Sequence, residues 1–157
     1  MKKLRGFTLI ELIVVIAIIG ILAAIIVPSM IGYVQHARAS HMNANARSVY
    51  EGAQLAITDT IVGGGIIAPN GVYTNSADGD CESHAGSYTC DLENYLGANF
   101  EGYFLFVTDS SGITCEYALW SSRPIPASAA AQMTVDEVKA SISTSLPRGC
   151  HPLKASS

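Results

Sequence analysis

The residues of this 157-residue chain with the most potential for chemistry fall into three groups. The first is one carboxylate, Glu11, set at the start of an apolar run. From Leu12 to Val34 no side chain is charged, and the next charged residue after Glu11 is Arg38. An ionised carboxylate inside a hydrocarbon layer is costly even on lenient scales, so such a residue persists when it has a partner. The apolar run itself offers no cation, which leaves another subunit or a backbone amine created by cleavage. The second group is the cysteines Cys81, Cys90, Cys115 and Cys150. An even number confined to the region beyond the apolar run favours two disulfides and an oxidising compartment. Four cysteines allow three pairings; Cys81–Cys90 is local and Cys115–Cys150 would tie the tail to the second strand, so these are the expected bonds. The set Cys81-x2-His84-x5-Cys90 has zinc-type donors but matches no standard spacing. In the third group, Asp78, Asp80 and Glu82 alternate as at the start of a calcium loop. Ser83 stands where that loop needs glycine and Thr89 where it needs a bidentate glutamate, so a solvated acidic loop is the simpler reading and no metal is expected.

No catalytic constellation emerges. His36 and His41 lie five apart, about 140° around a helix, so they do not share a face. No serine has the G-x-S-x-G setting of a hydrolase nucleophile, and Gly63–Gly65 lacks the Lys-Ser/Thr of a phosphate loop. The chain is not expected to be an enzyme or to carry a cofactor. With 9 Lys+Arg against 13 Asp+Glu it has no basic footprint for nucleic acid.

The elements that must position these residues follow from hydrophobic patterning. Residues 7–34 form a 28-residue apolar run, on the order of 40 Å as a helix at ~1.5 Å per residue, enough to span a ~30 Å hydrocarbon core. Lys2, Lys3 and Arg5 precede it and hold that end in the cytoplasm. The run is too long for a secretory signal. Beyond it, Met42, Ala46, Val49, Ala53 and Ala56/Ile57 make an apolar stripe at helical spacing, which extends the helix to about residue 62 as an amphipathic support. Glycines 63–65 end it. Residues 63–101 read as loop. Residues 102–120 read as a β-hairpin, two aromatic and β-branched runs about the turn Asp109-Ser-Ser-Gly112. Thr134-Val-Asp-Glu137 is a capping box opening a short helix to about residue 144. Pro147, Gly149 and Pro152 predict an irregular end to the C-terminal region, 121–157. The fold class expected is α+β: one long N-terminal helix whose second half packs on a small antiparallel sheet.

The stretch KKLRG-FTLIELIVVIAIIGILAAIIVP resembles the class III leader and first helix of type IV prepilins and pseudopilins. The resemblance is dense over residues 2–28 and fades beyond about 60. It implies a leader, residues 1–6, cut after Gly6 by a prepilin peptidase, and a mature chain that starts at an N-methylated Phe7. Glu11 is then the fifth residue of the mature chain, and Gly20 and Pro28 match positions where pilin helices loosen during assembly. Cleavage creates an amine at Phe7 that Glu11 of a neighbouring subunit can neutralise, favouring one axial register. Pro28 removes an intrahelical hydrogen bond and Gly20 adds backbone freedom.

The resulting expectation is a structural subunit of a type IV pilus, or fimbrium. It is a single-pass protein of the cytoplasmic membrane before assembly and part of an extracellular filament, a helical homopolymer, afterwards; its other partner is the pilus assembly platform. A pseudopilin of a secretion or competence machine shares every N-terminal feature. A membrane-anchored binding module that never polymerises is the rival from another class, and Glu11 speaks against it.

Overall fold

The protein is described by a computed structural model, which covers residues 7–75, 92, 95–97, 100–144 and 146–155. Two compact units divide the chain, one reaching His36 and the other starting at Ala37. A single helix, α1 (Leu9–Val62), contributes to both. Strands β1 (Val72–Thr74), β2 (Tyr103–Thr108) and β3 (Cys115–Ser121) come next, then a 3-10 turn (Ala127–Ala129), helix α2 (Val135–Ser141) and strand β4 (Arg148–His151).

In the first unit, every described residue is exposed. Its leucine, isoleucine, valine and alanine side chains are all exposed, yet the backbone is helical from Leu9 onward. A helix satisfies its backbone polar groups within one segment, which suits an apolar surrounding that offers no hydrogen bonds.

In the second unit, the helix is buried along Ala39, Met42, Ala46, Val49, Gly52, Ala53, Ala56 and Ile57, the stripe that the helical spacing predicts. Gly64, at φ 82°, provides the left-handed turn beyond the helix end. The sheet is four-stranded in the order β1-β2-β3-β4, and all its neighbours are antiparallel. Cross-strand register puts Phe104 opposite Trp120 and Trp120 opposite Gly149; Phe106, Ala118 and His151 form the next row. This face meets α1: the His41 and Trp120 rings lie edge-on at 6.3 Å, and those of Tyr50 and His151 at 5.3 Å. The opposite face carries Leu105, Leu119 and Cys150. There the Met133 amide donates to Cys150 Sγ at 3.4 Å and Arg148 Nη1 to the Ala129 carbonyl at 2.7 Å. Because both faces are covered, β2 and β3 are nearly continuously apolar rather than alternating.

Two expectations change. Residues 148–151 are not irregular: β4 is a full partner of β3. Gly149 makes this possible, since a Cβ there would overlap the Met42 carbonyl oxygen of α1. Pro147 and Pro152 merely bound the strand. The loop before β2 also holds a strand, β1, secured where buried Thr108 donates to the Ala68 carbonyl and accepts from the Gly71 amide, both at 2.8 Å. The hairpin turn forms as expected, with Asp109 Oδ1 accepting from the Ile113 and Thr114 amides at 3.1 Å. A hydrogen bond from the Ser111 hydroxyl, together with these amide bonds, holds the Asp109 carboxyl down to about 2.

Candidate functional site

The chemistry-bearing part of the first unit is its opening turn. Phe7 is 76% exposed, and Glu11 is the only charged residue described in that unit. Thr8 precedes the helix, and its amide donates to Glu11 Oε2 at 2.9 Å while its hydroxyl donates to the same oxygen at 2.5 Å. The Glu11 amide returns to Thr8 Oγ1 at 3.4 Å. This reciprocal pattern is a capping box, which satisfies donors that a helix start otherwise leaves orphaned. Glu11 meets no cation along α1 before Arg38, but Thr8 supplies a partner there in the form of hydrogen bonds. The signal was in the chain, since Thr8-Leu-Ile-Glu11 has the same spacing as Thr134-Val-Asp-Glu137.

Further along, α1 continues through Pro28. Proline has no amide hydrogen, so the carbonyl of Ala24 loses its intrahelical donor there. Beside it, the Ser29 hydroxyl donates to the Ile26 carbonyl at 2.8 Å. A Cβ built on Gly20 meets nothing within 4 Å, so packing within this chain does not require glycine at that position.

In the second unit the cysteines depart from expectation. Cys115 and Cys150 are free and buried. Cys150 faces Leu119, four positions along β3 from Cys115, a separation of roughly 13 Å at ~3.3 Å per residue. A disulfide needs Cα atoms within roughly 7 Å, so the Cys115–Cys150 bond is ruled out by the register. Burial pushes the Cys115 thiol up to about 12 and raises that of Cys150. Both are inert, protonated core residues at neutral pH. Cys81, Cys90, His84 and the acidic Asp78, Asp80 and Glu82 lie outside the described residues, as does Gly6. His36 is exposed. His41 is exposed as well, but its ring lies against Trp120.

A long N-terminal helix, apolar and with a lone carboxylate in the first unit, and a four-stranded antiparallel sheet make up an α+β arrangement of the pilin type. The family described as the prokaryotic N-terminal methylation motif matches residues 1–27. The type IV major pilin protein PilA of Myxococcus xanthus is 50% identical over 46 residues, 29% of this chain and 21% of its own length. The type IV major fimbrial protein FimA of Dichelobacter nodosus is 34% identical over 108 residues, 65% of this chain and 56% of its own. The type IV narrow pilus major component PilA5 of Thermus thermophilus is 38% identical over 92 residues, 59% of this chain and 74% of its own. The chain thus spans about a fifth of the first relative and just over half of the second. No solved structure matches it significantly. The chain belongs to the type IV pilin family.

Proposed function

We propose that this chain is a structural subunit of a type IV pilus. The observation that carries the reading is the first unit: a helix from Leu9, exposed at every described residue, predominantly apolar and bearing one carboxylate. An apolar surface of that extent needs a lipid or protein cover. The cytoplasmic membrane covers it first, with the leader residues 1–6 on the cytoplasmic side. A prepilin peptidase cuts after Gly6 and methylates the new amine of Phe7. The assembly platform then moves the helix from lipid into a bundle of identical helices, and the second unit is displayed on the outside of the fibre.

Glu11 is the assembly residue in this scheme. On assembly its carboxylate exchanges or shares the Thr8 hydrogen bonds for the Phe7 amine of a neighbouring subunit. That pairing neutralises two poorly solvated charges and fixes the axial register. Residues 20–28 loosen in the fibre, because Pro28 has already removed one rung of the hydrogen-bond ladder and Gly20 adds freedom. The relatives are named as major pilins and fimbrial proteins, which favours a pilus over the pseudopilin of a secretion machine.

Electron microscopy of cells with and without the protein tests this reading. Surface filaments are expected only when it is present, and intact mass of the filament subunit should place the N-terminus at a methylated Phe7. A subunit beginning at Met1, or filaments unchanged by its loss, would overturn it.

A further inference from the structure

A groove crosses the second unit beside Trp120, the single tryptophan of the chain. Its main part has a volume of about 470 Å³ and is lined by His41, Asn45, Phe100, Glu101, Trp120 and Ser122, with Gly102 at its base. An adjoining cleft of about 260 Å³ shares His41, Trp120 and Ser122 and continues to Arg38. The size lies within the ~300–1,000 Å³ range of small-ligand sites.

The apolar wall is held in place. Trp120 Nε1 donates to the Glu101 carbonyl at 3.1 Å, and the His41 ring braces the indole edge-on. Gly102, at φ 124°, lets the indole lie against the backbone, since a Cβ there would come within 2.5 Å of Nε1. Phe100 is set edge-on to Phe104 at 6.4 Å. The polar heads, by contrast, are unused. Among the described residues none forms a hydrogen bond or ion pair with the side chains of Asn45, Glu101 or Ser122. A fixed aromatic wall surrounded by an unengaged amide, carboxylate and hydroxyl suits a ligand with an apolar C–H face and a rim of hydroxyls. Those hydroxyls donate to Glu101, accept from Asn45, and do either with Ser122. Glu101 in the groove repels an anion, and Arg38 in the adjoining cleft offsets the pull of Glu101 on a cation, which favours a neutral ligand.

We propose that this groove binds a neutral saccharide of one or two hexose units. The assignment does not depend on filament formation. Because Trp120 is the only tryptophan, its fluorescence reports the groove directly. The test uses the full chain in a detergent without a sugar headgroup, titrated with glucose, galactose, N-acetylglucosamine, lactose, maltose and chitobiose. At least one is expected to give a saturable change in emission in the millimolar range. Glu101→Gln and Asn45→Ala should each weaken that binding about tenfold, the first by removing the charge that strengthens a hydrogen bond and the second by removing a hydrogen bond outright. Glu116→Gln, on an exposed position of β3, should bind as the parent does, and circular dichroism should show all three variants folded. No saturable response to any of the six sugars would overturn the proposal. So would equal binding by Glu101→Gln and the parent, or a response to tetramethylammonium alone, which would make the groove a cation site.

Discussion

Thr8–Glu11 and Thr134–Glu137 are the same four-residue device in two settings. In each, the threonine amide donates to the glutamate Oε2, at 2.9 Å in the first and 2.6 Å in the second. In each, the glutamate amide returns to the threonine Oγ1, at 3.4 and 3.3 Å. The helices that the two devices open are unlike. Helix α2 runs seven residues, buries Val138 and Ser141, and has Lys139 near Asp136 on its solvent side. The hydrogen bonds from Thr134 hold the Glu137 carboxyl below its ordinary range, as an aqueous carboxylate at a helix start should be held. The first unit buries nothing of its own, and no cation comes after Glu11 before Arg38. The cap sets where a helix begins; on the proposed function, the surroundings decide whether its carboxylate is a local stabiliser or a contact awaiting another subunit.

The sharpest way to break this comparison is to remove both carboxylates separately. Glu11→Ala is predicted to insert, to be cut at Gly6 and to fold its second unit, yet to yield few or no filaments, because removing one member of a buried pair strands the other. Glu11→Gln should be impaired as well. Glu137→Ala should assemble normally. Counting filaments by electron microscopy decides, and equal yields from Glu11→Ala and Glu137→Ala would reduce Glu11 to a helix cap.

The next effect confines damage to the other unit. Gly149→Ala drives a Cβ into the Met42 carbonyl, where both partners are backbone and neither can swing aside. A loss of roughly 3 kcal/mol from the second unit is expected, read as a lower chemical-denaturation midpoint while membrane insertion is unchanged. A smaller contrast comes from the two threonines. Thr134→Ala should cost about 1 kcal/mol of second-unit stability as a lost cap, whereas Thr8→Ala should leave that stability unaltered. The smallest effect is acid dependence at the hairpin turn. The folded Asp109 carboxyl is held down to about 2 against an ordinary 3.8, so its contribution is complete above the ordinary value and is lost as pH falls toward 2. Denaturation midpoints of Asp109→Asn and the parent measured across that window should converge at the acid end.

Much of the architecture was legible in the chain because it is written in local patterns. The stripe from Met42 to Ile57, the hairpin about Asp109 and the Thr134 cap each depend on residues a few positions apart, and the structure bears out all three. The Thr8 cap is equally local but sits at the edge of the apolar run. There a carboxylate reads as a charge in need of a cation rather than as a hydrogen-bond acceptor. The strand β4 was not legible in the same way, since Pro147, Gly149 and Pro152 read as breakers until β3 and the Met42 carbonyl are known to lie alongside.

By itself, then, the sequence determined the long helix, its apolar first half and the isolation of Glu11, because composition and short-range spacing suffice for each. Only tertiary structure decided that Cys115 and Cys150 lie too far apart to bond, that Gly149 marks a backbone contact, and that Asn45, Glu101 and Trp120 meet around one groove. Those facts depend on strand register and on how closely α1 approaches the sheet, and both are set by contacts between residues far apart in the chain.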